Sequence, residues 1–199
     1  MVATGTMLLA YFKHICGMFS IASFRIKKAM AINMQQDVNK EQMIIIYKGI
    51  ICAIDIHRKA TEFSQDFLKN FEGSFFCLIA AGMICLSSTL VQIISCNSIE
   101  QLGLQLIYIC TIYLFIFLSN YNAQDITDHN EYVFATVYNV EWYVAPLHIQ
   151  KMMLFLLQKG TKAFYLIFGG IFIPSMESAA TLMGTSISYF TVLYSTSTK

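Results

Sequence analysis

Residues 174–195 read PSMESAATLMGTSISYFTVLYS, a stretch of mostly apolar and small side chains in which Glu177 carries the only charge. As a helix, these residues would extend for roughly 33 Å, which is enough to cross the hydrocarbon core of a bilayer. Pro174 suits the first turn of such a helix, and Glu177 would lie near the positive end of its dipole. The stretch therefore predicts a membrane-spanning helix.

Small side chains recur along this predicted helix every three or four residues and so share one face. We call this set the hydroxyl stripe: Ser178, Thr181, Thr185, Ser188, Val192 and Ser195. One interpretation is close packing between helices, or hydroxyls that bond back to their own carbonyls. The other is a pore wall, with hydroxyls facing water and Val192 as an apolar constriction. Spacing alone favours the packing interpretation.

The composition indicates an integral membrane protein. Apolar residues make up 56% of the 199 and charged residues only 13%, about half the fraction usual in soluble domains. A net charge of +1 gives no reason to expect a nucleic-acid partner. The six cysteines show no metal-ligand spacing, so we expect small core residues, no metal and no cofactor. No catalytic motif occurs, so we do not expect an enzyme.

Apolar runs predict an all-α, polytopic membrane bundle with four spans and long cytoplasmic helices. The predicted spans cover residues 1–23, 72–96, 102–121 and 163–199. The first span is interrupted by Lys13 and His14. These side chains should face protein or water, unless the Lys13 ammonium group reaches the membrane–water interface.

The distribution of basic residues predicts the orientation. Eight lie between the first two spans: Arg25, Lys27, Lys28, Lys40, Lys48, Arg58, Lys59 and Lys69. The link at residues 97–101 has none. By the positive-inside rule, segments 24–71 and 122–162 are cytoplasmic, while the short link and the C-terminus are extracellular.

An amphipathic helix is predicted over residues 42–71. Its apolar face comprises Met43, Ile46, Ile50, Ile54, His57, Ala60, Phe63, Phe67 and Phe71. Asp55 and Lys59 should form an i,i+4 pair on the outer side. His57 lies on the packed face without a second ligand nearby in sequence, so we expect a hydrogen-bonded core or interface histidine.

Segment 122–162 contains a second predicted helix. Pro146 should begin it, Gly160 should end it, and Met152–Leu157 is apolar on every side. Such a helix outside the membrane must be buried. We expect burial against neighbouring subunits and the 42–71 helix; a re-entrant segment is the alternative.

Several motifs together resemble the insect odorant receptor family, and the resemblance covers essentially the whole chain. They are Trp142–Pro146 with Gln150–Lys151, Leu157–Lys159, Gly169–Phe172, Ser175–Ser178, Thr185–Leu193, His57–Lys59, and His14, Gly17, Phe19 and Arg25. Members of that family have seven spans. The resemblance implies a partial seven-span receptor supplying the fourth to seventh spans. It also implies a subunit of a ligand-gated, non-selective cation channel in the plasma membrane, assembled as a hetero-tetramer with a co-receptor.

The resemblance also assigns roles to residues. The last helix would line the pore, which shifts the interpretation of the stripe from packing to pore, with Val192 and Thr196 in the gate region. Because the co-receptor has an apolar residue at the latter position, Thr196 indicates an odour-tuning subunit. A small apolar odorant would contact Leu104, Ile107, Tyr108 and Thr111, although these could equally face lipid or pack in the core. The subunit anchor would comprise Trp142, Tyr143, Pro146, Met152, Phe155 and Leu156.

Two other functions stay open. One is a gustatory-type receptor channel subunit, although Ser195–Thr196 do not match the Gln–Phe signature expected there. The other is a non-conducting four-span scaffold or truncated assembly partner, in which the hydroxyl stripe would be a packing surface.

Overall fold

The computed structural model describes residues 2–31, 40–94, 98–160 and 173–197, and every regular element in these ranges is helical. The elements are α1 (Val2–Met30), α2 (Lys40–Ile94), α3 (Ile99–Asn139), a 3₁₀ turn (Trp142–Val144), α4 (Leu147–Gly160) and α5 (Met176–Ser197). The predicted all-α fold class is confirmed.

In the part of the chain that the structure describes, three helical segments are long and apolar enough to cross a membrane: Gly5–Met30, Phe76–Ile93 and Ile99–Asn139. Large apolar side chains such as Ile84, Leu104 and Leu114 lie exposed on them, as expected for surfaces that contact lipid. The chain is therefore a polytopic membrane protein. The last helix, α5, is not among the three, because its many Ser and Thr residues lower its mean hydropathy. That α5 is a span remains a prediction.

Two helices are longer than the predicted segments. Helix α2 continues through Glu72–Gly73–Ser74, where we expected one helix to end and a span to begin. A single glycine costs a helix only about 1 kcal/mol, and no proline is present to break it. Helix α3 likewise continues past residue 121 to Asn139. The positions of the membrane boundaries along these helices remain predictions.

The chain forms two compact units. Unit 1 comprises Met1–Phe67 and Asp125–Tyr165, and unit 2 comprises Leu68–Gln124 and Leu166–Lys199. In unit 1, fully buried side chains come from all four of its helices, including Phe19, Ile50, Val133 and Met153. A methyl group on Gly160 would lie 2.5 Å from the ring of Phe134, so only glycine allows α4 to end this close to α3.

The core of unit 2 joins α2, α3 and α5. Leu86 and Leu90 of α2 pack with Ile109 of α3, and Phe190 of α5 packs against the same cluster. Ala179 and Ser186 are also buried. Because positions 179, 186 and 190 share one face of a helix, α5 packs against its own unit through a single face.

Candidate functional site

The start of α5 is fixed by hydrogen bonds. Ser175 caps the helix: its Oγ accepts from the backbone N–H of Ser178 at 3.1 Å. The side chain of Asn120 in α3 accepts from the Ser175 N–H and from the Ser178 hydroxyl, both at 3.1 Å. Gln124 accepts from the Met176 N–H at 2.8 Å. This network holds the first turn of α5 against α3.

The hydroxyl stripe lies on the opposite side of α5 from the packed face. Thr181, Thr185, Ser188 and Ser195 are exposed, and Val192 is 60% exposed. Thr196, one turn after Val192, is also exposed. Ser178 is half-buried because it belongs to the cap network. Within the described part of the chain, the stripe beyond its first turn is therefore not a surface that packs against a neighbouring helix.

The hydroxyls of the stripe donate to the carbonyls of their own helix. Thr181 donates to Glu177 at 2.9 Å, and Ser188 donates to Gly184 at 3.0 Å. Thr185, Ser195 and Thr196 bond in the same way. Back-bonding satisfies the hydroxyl proton and leaves oxygen lone pairs on the exposed side. The stripe can therefore accept hydrogen bonds from water or solvate a cation.

The four candidate odorant contacts share one face of α3, but only two of them line a groove. Leu104 and Tyr108 of α3 line an open groove with a volume of about 370 Å³, whose other side is formed by Ile84, Cys85, Ser88, Thr89 and Gln92 of α2. Ile107 and Thr111 are exposed and do not line this groove. Two of the four predicted contacts therefore line the groove, together with residues of α2 that the sequence did not indicate.

The candidate anchor residues lie around the start and body of α4. The carbonyl of Pro146 accepts from the N–H groups of Ile149 and Gln150, and the Gln150 side chain donates to the carbonyls of Tyr143 and Ala145. These bonds hold the 3₁₀ turn, which carries Trp142 and Tyr143, against the start of α4. Trp142 and Met152 are half-buried.

Only one face of α4 is buried within unit 1. It carries Ile149, Met153 and Leu156, whereas Phe155 is 61% exposed and Tyr143 is 62% exposed. The expected burial of α4 on every side is therefore not found among the residues that the structure describes. Its second apolar face is available to another chain.

His57 is the core histidine that the sequence predicted. It is 7% exposed, its Nε2–H donates to Asn130 Oδ1 at 3.0 Å, and the rings of Phe19 and Phe134 lie 5.4 and 5.2 Å away. Burial lowers the pKa of His57, and the positive charge of Lys159 acts in the same direction. The ring is therefore neutral at neutral pH.

Acidification should destabilise unit 1 through His57. Because the folded-state pKa lies below the unfolded value of about 6.5, the unfolded chain takes up the proton first, so stability falls as the pH drops below about 6.5. The measurement is the thermal unfolding midpoint of detergent-purified protein between pH 7.5 and 5. The control, His57→Gln, keeps an N–H donor for Asn130 and should lose much less stability over this range. An equal loss in both proteins would contradict the assignment.

Lys13 has a partner that the sequence did not identify. Its Nζ lies 2.7 Å from Asp125 Oδ2, on a helix more than a hundred residues away along the chain. Of the alternatives that the sequence left open for Lys13, the structure shows a contact with protein, made by a side chain that is 58% exposed. His14 beside it contacts the ring of Phe63, with the ring centroids 5.8 Å apart. The pair explains how α1 carries a cation within an apolar stretch.

The fold and this geometry together define a helical membrane protein whose last helix exposes a line of hydroxyls. The sequence profile of the 7tm odorant receptor family matches residues 1–187, and the chain belongs to that family. It is also 24% identical over 184 residues to odorant receptor 22c of Drosophila melanogaster. That alignment covers 90% of this chain and 45% of the relative, so the chain spans about half the length of the curated protein it matches.

Proposed function

We propose that this chain is an odour-tuning subunit of a ligand-gated, non-selective cation channel in the plasma membrane of olfactory neurons. Membership of the odorant receptor family supports the sensory part of the proposal. The observation that carries the channel part is the orientation of α5. One face of this helix packs on α2 and α3, and the opposite face presents the hydroxyl stripe outward.

A pore wall needs side chains that stay wet without holding ions tightly. Thr181, Thr185 and Ser188 suit this role, because each hydroxyl proton is bonded internally and each oxygen still faces outward. Val192 interrupts the hydroxyls with an apolar side chain. A ring of such side chains around an axis closes a pore by excluding water. Because Thr196 is polar, this subunit excludes water from the closed pore less well than a subunit with an apolar residue at the same position.

In the proposed channel, opening results from a difference in odorant affinity between the open and the closed state. A small apolar odorant that binds the open arrangement more tightly than the closed one shifts the equilibrium between them. Leu104 and Tyr108 are the candidate contacts supported by the groove, and Ile107 and Thr111 are retained only as peripheral candidates. We further propose that the exposed face of α4, with Tyr143 and Phe155, contacts the co-receptor in a hetero-tetramer.

Co-expression with an odorant receptor co-receptor tests this function. We expect odorant-evoked cation currents that differ in odour preference from those of the co-receptor alone. Surface labelling establishes that the protein reaches the plasma membrane. Surface-expressed protein that co-purifies with the co-receptor but adds no odorant-evoked current would instead support the non-conducting scaffold.

A further inference from the structure

Three side chains of different chemistry meet in unit 1, apart from the stripe and the groove. They are Cys16 of α1 with Asp125 and His129 of α3, and one ligand atom from each lies within 4.8 Å of the others. Asp125 and His129 are one turn apart on the same face of their helix. The sulfur of Cys16 lies 3.6 Å from Asp125 Oδ2. The cluster therefore links two helices that are far apart in sequence.

This donor set matches the preferences of zinc. Thiolate, imidazole and carboxylate are its usual protein ligands, at about 2.0–2.3 Å in tetrahedral geometry. Ligand atoms around such an ion are separated by roughly 3.3–3.8 Å. The distances between the three ligand atoms, now up to 4.8 Å, therefore need to shorten by only about 1 Å. We propose that Cys16, Asp125 and His129 form a zinc-binding site that joins α1 to α3.

His129 faces Asp125 through Nδ1, which lies 3.2 Å from Asp125 Oδ1 and 2.7 Å from the backbone carbonyl oxygen of Asp125. Because a carbonyl only accepts, Nδ1 carries the proton in the metal-free chain. Zinc binding through this nitrogen moves the proton to Nε2 and releases the hydrogen bond to the carbonyl, so the ring stays neutral.

Lys13 competes with the metal for Asp125. Its ammonium group lies 2.7 Å from Asp125 Oδ2, but its side chain is 58% exposed and can release the carboxylate by extending toward the membrane–water interface. When zinc binds, the Cys16 thiol loses its proton to solvent and the ion takes the place of the ammonium group. The resulting carboxylate, thiolate and Zn²⁺ sum to zero charge. Zinc thus replaces an ion pair between α1 and α3 with coordinate bonds.

Cobalt(II) is the probe, because its bond to a thiolate gives a near-ultraviolet charge-transfer band that zinc addition abolishes. We expect the band when Co²⁺ is added to the detergent-purified chain. Cys16→Ser should remove the band. His129→Ala should lower the affinity for Co²⁺ by at least about tenfold, as is typical when a residue of a metal site is removed. Cys52→Ser is the matched control, because Cys52 is in the same unit and accepts instead from Arg25 at 2.6 Å.

The decisive variant is Lys13→Gln, which removes the competitor. If the site binds zinc, this change should tighten Co²⁺ and Zn²⁺ binding about two- to fivefold, the range expected for a partly exposed ion pair. Circular dichroism shows whether each variant is folded. Protection of Cys16 from alkylation by zinc in the unaltered chain gives a readout independent of the variants. Absence of both the band and the protection, or a band that survives Cys16→Ser, would overturn the proposal.

Discussion

Replacing Val192 by serine should raise the resting leak current of assembled channels about tenfold. In the proposed pore, this side chain excludes water when the channel is closed, and it is 60% exposed on the stripe side of α5. Serine keeps the helix but loses the apolar surface. Excluding a valine side chain from water contributes roughly 1.5 kcal/mol, which corresponds to about a tenfold change in the closed–open ratio.

Ile187→Ser is the matched control for this prediction. Ile187 is 57% exposed but points away from the stripe, so the same loss of apolar surface should leave the leak unchanged. The measurement is whole-cell current without odorant, normalised to surface expression. An unchanged leak in Val192→Ser, or an equal rise in both variants, would remove Val192 from the gate.

Local patterns in the sequence predicted individual helices well. Pro146 and Gly160 bracket α4 as expected, and α5 begins at Met176, two residues after the predicted Pro174. The nine residues of the predicted apolar face of the 42–71 helix are all buried or half-buried. The expected pair between Lys59 and Asp55 is present at 2.8 Å, and it lowers the pKa of the Asp55 carboxyl. Each of these features depends on neighbours within a few residues.

Features that depend on distant segments could not be predicted in this way. Asp125 as the partner of Lys13, and Asn130 as the partner of His57, are brought in by the packing of α3. The meeting of Cys16 with Asp125 and His129 has the same origin, because Cys16 shares no sequence motif with the other two residues. Among the cysteines that the structure describes, only Cys16 is buried, since exposure depends on which helix face meets the core.

The continuity of α2 across the predicted segment boundary at residues 71–72 has a different cause. Residues 42–71 are amphipathic and the following residues are uniformly apolar, so the period of the pattern changes near Gly73. A change of environment along a helix produces this change of pattern without any break in the backbone. The chain there has no proline, and a helix continues through an isolated glycine at modest cost. Hydropathy therefore predicts where the surroundings of the helix change, and this position need not be the end of the helix.

The orientation of the stripe can be tested by chemical modification at Ser188. Cysteine at this position should react with a charged, membrane-impermeant thiosulfonate and abolish most of the odorant-evoked current. The attached charge would lie in the proposed ion pathway, where it both narrows the pore and repels cations. The unaltered channel, which already contains exposed cysteines such as Cys85 and Cys110, sets the background.

Ser186→Cys provides the comparison, because Ser186 is two residues away and buried against its own unit, at 6% exposure. The account predicts rapid loss of current in Ser188→Cys and only background loss in Ser186→Cys. Equal reactivity at both positions, or complete modification of Ser188→Cys with no change in current, would contradict the claim that this face of α5 lines the ion pathway.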